Sequence, residues 1–274
     1  MMAPAHDGQA PQLAAGFDDV LPLLVLAALA LGYLVLSRRR EREPRGWSRW
    51  RTAAFLGGVV TLALGLSPQV SPYAGGGLPG HMYQHLLIGM YAPIGLVLGA
   101  PVTLLLRSLP RRQGKRIGRF FRSAPLHVLA HPVTALVLNL GGLAALYFTP
   151  LYAAAAREPA LHHLVHLHFL ASGYLFAWVV AGPDPAPARP SVPARLWVLG
   201  AAIAGHAVIS QLLYAGLFVK VSAPIGELRQ AGELMYYAGD IAELLLAFAL
   251  VSSWRPTARI RRQRPRRTSI PEPA

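Results

Sequence analysis

The chain has 274 residues, of which 54% are apolar and 14% charged, yet its formal net charge is +14. A soluble domain of this size distributes charge along its whole length. Here Lys and Arg sit in short blocks between long apolar runs, the pattern of a membrane protein with basic loops. Basic residues interleaved with aromatics, as a nucleic-acid surface requires, are missing, so no nucleic-acid partner is expected. There is no cysteine, which excludes disulfides, thiolate metal sites and iron–sulfur clusters.

Crossing a bilayer takes about 20 mainly apolar residues. The sequence predicts seven such runs: Val20–Leu36, Thr52–Val70, Met82–Leu106, Pro132–Leu151, Leu161–Ala181, Leu196–Val219 and Ala231–Trp254. The first follows Asp18 and Asp19, which suit a helix start rather than a signal peptide. Basic residues alternate between the connections: seven arginines from Arg38 to Arg51, seven cations from Arg107 to Arg122, Arg189 with Arg195, and seven arginines from Arg255 to Arg267. All but Arg157, Lys220 and Arg229 of the 26 basic residues thus fall on one side. The positive-inside rule puts that side in the cytoplasm. The expected fold is an all-α polytopic membrane helix bundle of seven transmembrane helices, with an external segment 1–19, a transmembrane domain 20–254 and a basic cytoplasmic tail 255–274. Residues 71–80 read as an external turn and 182–187 as a Pro-rich cytoplasmic turn. No internal repeat is visible.

Polar residues inside spans are costly and commonly functional. His81 and His85 open the third run, and His162 and His166 open the fifth. A spacing of four puts each pair on one helix face, one turn apart. Both runs begin on the external side, so the pairs share a depth, where imidazoles from neighbouring helices could meet a copper, zinc, nickel or iron ion. Met82 and Met235 lie near that level and could add a thioether, which favours copper(I); Glu233 is a further candidate ligand. A lone interfacial His is more often an amphipathic anchor, and His163 reads as a rim residue, His127 and His131 as structural, with His168 unassigned. Along the seventh run, Glu233, Tyr236, Tyr237, Asp240 and Glu243 fall within a face roughly 120° wide. That stripe is an ion or proton path, or a packing seam. His206, midway along the sixth run, is the expected partner of Asp240. Gly95 and Gly99 form a small-xxx-small pair for close helix packing, while Pro93 and Pro101 should kink the third run.

The run from His81-Met-Tyr-Gln-His85-Leu-Leu to Leu-Gly-Ala-Pro-Val-Thr-Leu-Leu-Leu-Arg107 resembles the signature of the CtaG-type assembly factors of the bacterial caa-type cytochrome c oxidase. Later segments also resemble that family: His131-Pro132, residues 161–170, Gly182-Pro-Asp-Pro185 and Gln230-Ala-Gly-Glu-Leu-Met235. The resemblance implies a multi-pass protein of the bacterial plasma membrane that helps a haem–copper oxidase mature through copper supply, with oxidase subunits as partners. It carries His81, His85, His162 and His166 onto the family's histidines and Met235 onto its last-span methionine. The chain departs from the pattern at Arg229-Gln230, Glu233 and Met235-Tyr236, and His163 and His168 are extra. An accessory protein binding copper at the outer His cluster, not an enzyme, is the expected function. The alternative is a copper transporter that uses the same cluster as entry and the acidic face of the last span as route. A haem protein would need ligands on opposite sides of the iron, and a retinal protein a lysine in the last span, which has none.

Overall fold

The computed structural model describes residues 17–254 apart from 45, 74–75 and 188. Most of the expected external segment and the whole basic tail lie outside them. The described residues form helices joined by turns and irregular connections, with no strand among them. In chain order they form α1 (Phe17–Glu41), α2 (Arg49–Gly65), α3 (Gly77–Leu86), a π-helical turn (Leu87–Tyr91), α4 (Ala92–Leu98), α5 (Pro101–Ser108), α6 (Arg111–Phe120), α7 (Ala124–Leu129), α8 (Pro132–Phe148), α9 (Leu151–Ala155), α10 (Pro159–Ala181), α11 (Val192–Ala215) and α12 (Ile225–Ser252). Among the described residues five stretches are long and apolar enough to cross a membrane: Val20–Glu41, Gly77–Ser108, Pro159–Ala181, Val192–Ala215 and Ile225–Ser252. The helices α2 and α8, expected as spans, have 17 residues each. Large apolar side chains such as Leu24, Val60, Trp197, Leu244 and Phe248 lie exposed around the bundle, as they would where lipid is the solvent.

Two expectations about the connections change. The segment 71–80 is a turn only as far as Gly76, because α3 begins at Gly77. The basic stretch after Arg107 contains the short helices α6 and α7 rather than plain loop. Arg111, Arg112, Lys115, Arg116 and Arg119 of α6 are all exposed, while Phe121 at its end packs on Trp178 of α10 at 5.9 Å.

The third apolar run is broken where its prolines predict. Pro93 has no N–H for the carbonyl four residues earlier, that of Gly89, and the helix widens into the π turn just before it. α10 crosses at this point: a Cβ on Gly173 would overlap the Gly89 carbonyl oxygen and crowd Pro93. Glycine at 173 therefore sets how closely α10 approaches. Gly95 plays its expected part, since a Cβ there would stand 2.7 Å from the backbone of Gly58 on α2. The second break falls at Ala100, whose φ of 51° is left-handed. Pro101 disfavours the helical conformation in the residue before it, so the chain turns and restarts as α5.

That restart leaves free N–H groups which Ala100 cannot cap. Asp184, from the Pro-rich turn after α10, supplies the acceptor: Val102 N donates to Oδ2 at 3.0 Å and Thr103 N to Oδ1 at 2.7 Å. At the other end of this clasp, Arg189 Nη2 donates to the Asp184 carbonyl at 2.7 Å and Arg195 Nη1 to the Val180 carbonyl at 2.7 Å. Two guanidinium groups thus serve the carbonyls at and just past the end of α10, where the helix dipole favours cations. Burial and loss of water push the Arg189 pKa down from its ordinary value. α1 is tied to the same end by the Tyr33 hydroxyl, which donates to Gly99 O at 2.7 Å, and by Tyr33 stacking on Phe55 at 3.9 Å. Replacing Asp184 by Ala should cost about 2–3 kcal/mol, because two bonds to a buried carboxylate are lost. The midpoint of thermal unfolding in detergent should fall accordingly, and an unchanged midpoint would mean that the clasp contributes nothing.

Candidate metal site

Glu227, in the first turn of α12, reaches across to α3 and accepts a hydrogen bond from Leu78 N at 3.0 Å. The carboxylate sits at the N-terminus of α3, where free N–H groups and the helix dipole both favour an anion. This contact accounts for a helix start four residues ahead of His81. In the sequence Glu227 carries only a first-turn signal, an acidic residue three positions after Pro224, and nothing local ties it to α3.

One turn below that cap, α3 meets α10. The His81 ring lies 6.1 Å from that of His162 and 6.2 Å from that of His166, centre to centre, and His162 and His166 are 4.3 Å apart. Tyr152 of α9 closes the fourth side, edge-on to His81 at 5.1 Å. A cleft of about 230 Å3, lined among others by Ser71, Gly77, Gln84, Tyr152, His81 and His162, opens onto the group. His166 is buried, and Nε2 of both His81 and His166 is buried without a hydrogen-bond partner. Nitrogens in that condition are costly unless something else takes them up.

The histidines do not all share this place. His85 is buried one turn deeper, against Phe169 at 4.1 Å, and its Nδ1 also lacks a partner. His163 is exposed, as a rim residue should be. His168 has a structural explanation: Nε2 lies 3.2 Å from the Leu138 carbonyl, and the ring fills the notch left by Gly142. His131 caps α8, its Nδ1 accepting from Val133 N at 3.3 Å. Met235 is fully buried in the core cluster that also holds Met82, whose sulfur accepts from the Tyr147 hydroxyl at 3.7 Å. Glu233 is exposed and makes no hydrogen bond or ion pair among the described residues, so nothing joins it to the histidines.

The polar face of α12 divides along its length. Glu233 and Tyr237 are exposed, Tyr236 and Asp240 half-buried, and Glu243 buried. His206 pairs with Glu243, at 3.8 Å from Nδ1 to Oε1, and not with Asp240 as expected. The cause is local: Gly239 has no Cβ where the imidazole seats, and Glu243 lies one turn further on the same face, whereas Asp240 is rotated about 100° away.

A tetrahedral ion with nitrogen ligands about 2.0 Å away would hold its ring centres roughly 5 Å apart. The three outer rings are close to that spacing. Among the described residues, however, no three His, Asp or Glu side chains converge as they stand to hold an ion. The donor set fits a metal that takes imidazole, provided the rings turn toward the cleft.

Residues 30–257 match the family described as cytochrome c oxidase caa3 assembly factor. The chain belongs to that family. The caa3 assembly factor match takes in all four histidines of the two pairs, Met235 and the Asp184 clasp. Among curated relatives, uncharacterized proteins of Mycobacterium bovis and Mycobacterium tuberculosis are each 31% identical over 245 residues, covering 82% of this chain. One from Mycobacterium leprae is 30% identical over 257 residues, covering 87%. The chain spans only 37–39% of the length of these relatives. No solved structure matches it.

Because Glu227 holds the start of the helix that carries His81, Glu227→Ala should destabilise the fold by about 1–2 kcal/mol. The measurement is a thermal melt in detergent. A melt identical to wild type would show that α3 is held by its apolar packing alone.

Proposed function

We propose that this caa3 assembly factor is a non-catalytic accessory protein that holds copper at its histidine end and hands it to a cytochrome c oxidase subunit during assembly. The observation that carries this is the meeting of His81, His162 and His166 at the head of an open cleft, two of them with buried, unpartnered ring nitrogens. Neutral imidazoles suit copper, and a cleft open to water lets an ion enter and lets a recipient approach. The copper is cargo, so a site that is not tightly preformed agrees with an ion that must leave again.

In this proposal the chain is a multi-pass protein of the bacterial plasma membrane with seven spans, N-terminus outside and C-terminus inside. α2 and α8 join the five longer stretches as spans: 17 residues of α-helix rise about 25 Å, close to the thickness of a hydrocarbon core. The arginine-rich end then faces the cytoplasm and the histidine end faces outward. The alternative role as a transporter would run an ion along Glu233, Asp240 and Glu243. The exposure of Glu233 and the burial of Glu243 split that stripe between two environments, which favours holding over conduction along it.

Purified protein loaded with copper should retain the metal near stoichiometry, as read by mass spectrometry. His81→Ala combined with His162→Ala should lose it at least tenfold in affinity. Protons compete for the ring nitrogens, so retention should fall as the medium is acidified. Equal copper in wild type and double variant would leave these histidines as packing residues, and the protein as a scaffold acting by contact.

A further inference from the structure

α1 is the least enclosed of the five long apolar stretches, and its two sides differ. Leu26, Tyr33 and Ser37 are buried on the side that packs against the bundle, while Leu24, Leu31 and Val35 are exposed on the other. At 100° per residue, Arg38 and Arg39 continue the exposed side, and Arg42, just past the helix, joins them. An open hollow of about 440 Å3 lies there, lined by Leu34, Val35, Arg38, Arg39 and Arg42. These three arginines are exposed and make no hydrogen bond or ion pair among the described residues. Arg40 is different: it faces the packed side and is engaged by Glu43 and by the Arg107 carbonyl. Glu43 is shared with Arg107. Glu41, the other carboxylate nearby, is half-buried and pairs with no cation among the described residues.

The height of the hollow is that of a lipid headgroup. From Val20 to Arg38 the helix rises about 27 Å, which nearly spans a hydrocarbon core. Exposed tryptophans mark the same end: Trp50 in the first turn of α2, Trp197 in the second turn of α11 and Trp254 just past α12. Such residues gather where hydrocarbon gives way to headgroups. The helix dipole accounts for cations in the last turn of α1. It does not account for their place on the lipid side, beside an apolar floor. A free anion would have no use for Leu34 and Val35, whereas a phospholipid needs both parts. Guanidinium forks match the oxygens of a phosphate, and the apolar row above them offers a bed for acyl chains.

We propose that this hollow seats an anionic phospholipid, its phosphate held by Arg38, Arg39 and Arg42 and its acyl chains laid along Val35, Leu31 and Leu24. The site is separate from the copper reading, because it lies at the opposite end of the bundle from the histidines.

The test is lipid retention by the full chain in detergent, titrated with phosphatidylglycerol or phosphatidylcholine and read by native mass spectrometry. Wild type should keep phosphatidylglycerol in preference to phosphatidylcholine. Arg38→Gln/Arg39→Gln/Arg42→Gln should weaken that binding about tenfold or more. Val35→Trp fills the floor of the hollow, leaves every charge in place and should weaken it as well. Arg112→Gln/Lys115→Gln/Arg116→Gln removes the same charge from the exposed face of α6 and should leave binding unchanged. An equal loss in the α6 variant would overturn the site, leaving only a general attraction to basic charge. Unchanged binding in Val35→Trp would overturn it too, since the hollow would then have no part. Displacement of the lipid by an equal concentration of inorganic phosphate would make it a simple anion site. Equal retention of both lipids by wild type would dispose of the proposal outright, and copper loading would stand or fall separately.

Discussion

The crossing of α10 over the π turn at Gly89 is the contact on which the rest of the bundle depends. Pro93 removes one helical donor and the turn widens; Gly173, lacking a side chain, lets α10 lie directly on it. With the two backbones so close, His81, His162 and His166, two to three turns toward the histidine end, come together, while His85 packs against Phe169. The same crossing leaves the small cavity that Glu243 lines. A longer side chain at this point would separate the helices and pull the histidines apart without altering any of them.

Both ends of the bundle solve the same problem by different means. Helix ends carry unpaired backbone groups that lipid cannot satisfy. At the histidine end a carboxylate from α12 serves the start of α3. At the basic end Asp184 serves the start of α5, while Arg189 serves the turn after α10 and Arg195 its last-turn carbonyl. These side chains do for the helix ends what water does in a soluble protein, and they fix the height of each helix relative to its neighbours. Once those heights are fixed, His81 and His162 stand level at the mouth of the cleft.

Between the ends, the interior holds more polar groups than stability alone would favour. Most are histidines, which are tolerable in a bundle because imidazole can remain neutral. The carboxylate of Glu243 is the exception, and it sits beside His206 at a distance that satisfies neither fully. A bundle tuned only for stability would carry apolar residues of similar volume there.

Apolar run length and the placement of basic residues determined by themselves that this is a helical membrane protein, because a helix in lipid must be apolar over a definite length and charges must gather at its ends. The i,i+4 histidine pairs were legible for the same kind of local reason. So were the breaks at Pro93 and Pro101 and the close approach at Gly95. Which residues meet was decided only by tertiary structure. Helical spacing places His85 with His81, yet the lean of α10 sets His81 with His162 and His166 and leaves His85 against Phe169. Helical spacing equally allowed Asp240 or Glu243 to face His206; the gap at Gly239 and the rotation of α12 chose Glu243. The roles of Glu227, Asp184 and Arg195 were hidden because each serves a helix end distant in sequence or a carbonyl exposed only by folding. Periodicity within one helix records a face, whereas contact between helices depends on rotation and height, and these are set by glycines and caps on neighbouring helices.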